Sequence, residues 1–130
     1  MLKFIDTVTP VRYTSPLDSE EGKTVFLITP LTSNDIQIIN DATVTTETNG
    51  VTASAKIRQS LRNRLAVQMG LRGWENAGKE FESEQRSILG TGKRDVIKES
   101  LLNELPIDYI NDIGEEIQRI SLSTGAQQKN

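Results

Sequence analysis

The chain contains no cysteine and no histidine. The first absence removes disulfides, thiolate catalysis and zinc sites of the cysteine type, and the second removes the commonest general base and the commonest metal ligand. Much enzymology goes with them, so a non-enzymatic protein is expected. Long apolar runs are also missing: Val25-Phe26-Leu27-Ile28 is among the longest, far short of the roughly 20 residues needed to cross a bilayer. The start, Met1-Leu2-Lys3-Phe4-Ile5-Asp6, meets a carboxylate before it could build a signal region of about 7–15 apolar residues. A cytoplasmic protein with no membrane partner is expected. Hydrophobic residues make up only 35% of the chain, against about 45–50% in average domains when glycine is counted, so the core is lean.

What is present fits one modest domain of 130 residues, expected over residues 1–121 with a polar tail at 122–130. The net charge of −3 gives no reason to expect a nucleic-acid partner. Val11-Arg12-Tyr13-Thr14 and Thr24-Val25-Phe26-Leu27-Ile28 have strand character and are separated by turn-rich sequence, which predicts a β-hairpin. The second run is apolar on both faces and suits a central or covered place, while the first suits an edge. Thr32 or Ser33 caps a short helix expected to stop near Asn40. Residues 41–54 read as a loop, with a weak hairpin about Asn49-Gly50 as the alternative.

Ile57, Leu61, Leu65 and Met69 then fall on one face of a helix that Gly70 and Gly73 end. Trp74 to Phe81 reads as an ordered loop anchored by those two aromatics. A helix is expected from about Lys93 to Glu104, grouping Ile97, Leu101 and Leu105. A second follows from Pro106, with Ile107, Ile110, Ile113, Ile117 and Ile120 at spacings of three and four. The short link between them predicts a helical hairpin. The expected fold is α+β, mostly α: a small N-terminal β-hairpin packed on a three- to four-helix bundle with a C-terminal helical hairpin.

Gly90-Thr91-Gly92-Lys93-Arg94 departs from a phosphate loop, since Ser87 stands where the first glycine belongs and Arg94 follows the lysine; it reads as a turn before a helix. Carboxylate pairs such as Glu80 and Glu82, or Glu115 and Glu116, have no supporting constellation and read as solvated surface. No acidic residue lies between Thr48 and Trp74, whereas Lys56, Arg58, Arg62, Arg64 and Arg72 gather there. This basic stripe could dock an acidic partner, contact nucleic acid, or neutralise Glu75, Glu80, Glu82 and Glu84. Trp74 is either a core plug or a contact hot spot. The candidate partner-binding residues are thus Arg58, Arg62, Arg64, Arg72 and Trp74, with Trp74 and Phe81 as structural anchors.

The order of parts resembles the tail assembly chaperones encoded in the tail-gene modules of long-tailed bacteriophages. The resemblance rests on Thr24-Val25-Phe26-Leu27-Ile28-Thr29-Pro30-Leu31-Thr32, on Gly70-Leu71-Arg72-Gly73-Trp74-Glu75-Asn76, and on Leu105-Pro106 with Ile113-Gly114-Glu115-Glu116-Ile117 and the closing polar segment. It implies a small α-rich domain that binds tape-measure and tail-tube proteins in the host cytoplasm, has neither cofactor nor active site, and forms homo-oligomers or hetero-complexes. It carries over Trp74 and Asn76 as structural anchors and no binding residue. Small virion components share much of the profile, so a head–tail connector, neck or minor capsid-associated protein contacting portal or capsid is the alternative.

Overall fold

In the computed structural model, which describes residues 2–18, 23–44 and 52–122, the apolar run Val25–Ile28 forms strand β2. It lies in the middle of a three-stranded antiparallel sheet, between β1 (Val11–Tyr13) and β3 (Leu71–Glu75). A strand apolar on both faces needs cover on both, and the central place supplies paired backbone as well. Phe26 and Ile28 enter the core. Leu27, half-buried on the other face, lies over Gly73, where a Cβ would come within 3.3 Å of the Leu27 Cδ1. Val11 stands opposite Ile28 and Tyr13 opposite Phe26, while Phe26 also faces Trp74. Arg12 donates two hydrogen bonds, of 2.8 and 3.0 Å, to the carboxylate of Glu75 and so ties the two outer strands across β2.

Helix α1 (Ser33–Val44) starts where Thr32 Oγ1 accepts the Asp35 N–H at 3.0 Å, which selects Thr32 over Ser33 as the cap. It continues one turn beyond Asn40, with Thr43 Oγ1 donating back to the Ile39 carbonyl. The loop or weak hairpin expected after it falls largely on residues 45–51, outside the described residues. Helix α2 (Thr52–Gly70) packs against α4 (Ile107–Leu122). Ile110, Ile113 and Ile117, each at most 2% exposed, form the buried stripe of α4. Between these helices Asn63 is buried and satisfied: its Nδ2 donates to Asn111 Oδ1, and its Oδ1 accepts from Gln59 and Gln118. The polar tail expected at 122–130 lies outside the described residues apart from Leu122, which ends α4.

The expected arrangement of one N-terminal hairpin on a helix bundle is corrected by three further strands. Gly73 and Trp74 lie in β3 rather than in a loop, because the edge of β2 opposite β1 needs a partner. A second, two-stranded sheet pairs β4 (Ser83–Ser87) with β5 (Lys93–Ile97), where the first half of a helix was expected. Only Glu99–Glu104 is helical there, as α3, and Leu105 after it is extended at φ −69°, ψ 134°. The helical partner of α4 is accordingly α2, in place of the expected C-terminal hairpin. Leu89, Gly90 and Gly92 have positive φ values of 53°, 72° and 87°, so the Gly-Thr-Gly segment turns the β4–β5 hairpin and precedes a strand, not a helix. Among the described residues no helix is long and apolar enough to cross a membrane.

Candidate binding cleft

Where the Thr24 end of β2 meets the junction of α3 and α4, the core opens into a cleft of about 480 Å³. Its aromatic wall is Phe26, Trp74 and Tyr109, and Leu101, Leu105 and Pro106 face it. Phe26 meets Trp74 edge-on at 6.4 Å and Tyr109 at 6.2 Å between ring centroids; Trp74 in turn meets Phe81 edge-on at 5.1 Å. Two of these contacts are edge-to-face and the Phe26–Tyr109 contact is tilted at 54°, and together they hold the wall in place.

The backbone around Trp74 explains its orientation. Asn76 has φ 60°, a left-handed conformation that asparagine tolerates. The chain thereby turns after β3, and the Asn76 carbonyl accepts a 2.8 Å hydrogen bond from Thr24 Oγ1. The returning segment brings the Lys79 carbonyl to 2.7 Å from the indole Nε1, which donates to it. Trp74 is therefore satisfied at its polar edge while its half-buried ring supplies cleft surface. Lys79 Nζ and Glu104 form an ion pair at the cleft, with side chains 62% and 55% exposed. Such an exposed pair contributes only about 0–1 kcal/mol, so it is readily exchanged.

Of the residues singled out in the sequence, Trp74 lines this cleft and the arginines do not. Trp74, Asn76 and Phe81 do come together as one aromatic-and-turn unit. Arg62 donates to Asn40 Oδ1 on α1 at 2.7 Å, and Arg64 to Asn103 Oδ1 on α3. Arg72 donates to Thr29 Oγ1 and to the Asp95 carbonyl, tying the two sheets together; burial and the nearby Arg94 guanidinium lower its pKa. Arg58 lies half-buried on α2. Acidic residues that the stripe could have balanced have other ion-pair partners: Glu75 has Arg12, Glu82 has Lys98 and Glu84 has Arg86. Asp35, 5% exposed at the start of α1, takes Arg94 at 3.0 Å.

Sequence reasoning did not place Phe26, Tyr109, Leu101 or Leu105 at a common site. The signal available was Leu105-Pro106: a break between two apolar stripes leaves side chains that neither helix covers. Among the described residues no group of three or more acidic side chains could hold a metal ion. Compared with protein-family models, with curated proteins and with solved structures, the chain gives no match.

Proposed function

We propose that this is a non-enzymatic binding protein of phage morphogenesis, a tail assembly chaperone that holds apolar segments of tape-measure and tail-tube proteins while the tail is built in the host cytoplasm. The open aromatic cleft between β2 and the α3–α4 junction is the observation that supports this reading. An aromatic wall whose Trp74 indole N–H is already satisfied, beside a labile ion pair, is suited to an apolar peptide carrying a few charges. The phage assignment itself rests on the sequence resemblance.

Capture of separately purified tape-measure and tail-tube segments by the full chain tests the reading. Ala77 is exposed and lines the cleft, so Ala77→Arg obstructs the site without disturbing the core. Capture by the native chain and a loss of at least about tenfold, or 1.4 kcal/mol, in Ala77→Arg is the expected result. Equal capture by both, or by neither, would overturn it. Gel analysis of purified particles separates this chaperone from the alternative: a resident neck or capsid component stays in the virion, and a chaperone does not.

A further inference from the structure

Residues 2–10 precede β1 without helix or strand. They display Leu2, Phe4, Ile5 and Val8, with Phe4 89% and Val8 82% exposed. The other aromatic residues here are packed: Phe26 is in the core, and Tyr13, Trp74, Phe81 and Tyr109 lie against it. A lean molecule that leaves a phenylalanine and a leucine in water, and also carries an open aromatic cleft, has a ligand and a site unused, and burying one in the other is favourable.

We propose that residues 2–8 of one copy dock into the aromatic cleft of a second copy, so that the protein self-associates by exchange of its N-terminal arms. The strand register points to a second copy. The arm leaves β1 at Val11, opposite Ile28, whereas the cleft opens at the Thr24 and Phe26 end of β2, opposite Tyr13. β1 thus hands the arm off at the end of the sheet away from the cleft, and Phe4, 89% exposed beyond the Asp6–Thr9 turn, does not lie in the cleft of its own chain.

Charge fits the same pairing. Lys3 and Asp6 bracket Phe4-Ile5, and the cleft carries Glu104 and Lys79. Entry of the two apolar side chains exchanges the Lys79–Glu104 pair for Lys3 with Glu104 and Asp6 with Lys79, leaving no charge without a partner. Asp6 is already shaped for this: its Oδ1 accepts the Val8 and Thr9 N–H groups at 2.9 and 3.0 Å, bending the chain just after Ile5. Those two donors hold its carboxyl below the usual range, so it is ionised at neutral pH. Two arms in two clefts give a closed two-fold dimer, in which the same pair of surfaces is used twice.

This inference rests on the reading of the cleft as a binding site and is independent of the phage assignment. Sedimentation equilibrium of the full chain over a concentration series tests it, with Phe4→Asp and Ala77→Arg as single variants and as an equimolar mixture. A reversible dimer is expected for the native chain, at least about tenfold weaker association for each variant, and dimers again in the mixture, because one intact arm meets one intact cleft there. A monomeric native chain overturns the proposal, as does dimerisation unchanged in Phe4→Asp or a mixture that stays monomeric. Capture of tape-measure and tail-tube segments is scored separately: if Phe4→Asp leaves the dimer intact while Ala77→Arg loses capture, arm exchange fails and the chaperone reading stands. If the arms exchange and no segment is captured, the dimer stands and the chaperone reading fails.

Discussion

Gly114 has no room for a side chain. A Cβ there would stand 2.5 Å from the Asn63 carbonyl oxygen and 2.6 Å from its Cα, and both are backbone atoms of a packed helix. Gly114→Ala forces α2 and α4 apart and is expected to lower unfolding free energy by about 1–3 kcal/mol, as overpacking does, read as a lower urea midpoint. Tyr13 gives a pH dependence of definite sign. Burial, and then the 2.9 Å hydrogen bond its hydroxyl donates to Asp112, raise its pKa above the ordinary phenolic value. The unfolded chain therefore loses this proton first, and the stability that Tyr13 contributes is intact below about pH 10 and falls as pH rises beyond it. In melting-temperature scans, Tyr13→Phe should start lower at neutral pH and decline less steeply above pH 10. Arg62 was legible only as a charge. Because it donates to Asn40 from a half-buried position, reversing it to Glu probes the junction of α1 and α2, not a docking stripe.

The elements were legible where one periodicity ran uninterrupted. Ile110, Ile113 and Ile117 repeat at helical spacing and form the buried face of α4. Ile113→Asp places an unpaired charge at a site with 0% exposure and is expected to cost several kcal/mol, on the order of 3–5, with loss of the cooperative thermal transition. Residues 93–105 mislead because two periodicities abut. Val96 and Ile97 are the buried end of β5, and Leu101 and Leu102 belong to α3, yet Ile97, Leu101 and Leu105 together mimic a helix face. What decides the strand is its pairing with Ser83–Ser87, a polar segment with no apolar alternation of its own. Its stability comes from cross-strand partners such as Arg86, which donates to Glu99 and to the Ile97 carbonyl. Such partners cannot be seen along one segment. For the same reason Trp74 could be singled out along the chain only as a core plug or a contact hot spot, while the cleft it helps to line, which depends on α3 and α4 arriving beside β2, could not be read there.

At the scale of the whole molecule, the acidic balance and the commitment of Arg62, Arg64 and Arg72 to internal partners argue in the same direction. A gel-shift titration in salt of about 150 mM, where the Debye length is about 8 Å, should show no low-micromolar binding to duplex DNA. Binding that falls steeply with salt would instead mark a genome-contacting protein.

The central place of β2 also sets an order of events during synthesis. Its pairing with β1 closes over a short span of chain, but its other edge waits for β3, which follows α1 and α2. Until residue 75 has left the ribosome, β2 presents Phe26 and Ile28 uncovered beside a row of unpaired backbone groups. Non-local pairings of this kind close slowly, and an apolar open edge invites a neighbouring nascent chain. Co-translational crowding is therefore a point at which this fold is exposed to misassembly, and slower initiation on its messenger should raise the soluble fraction.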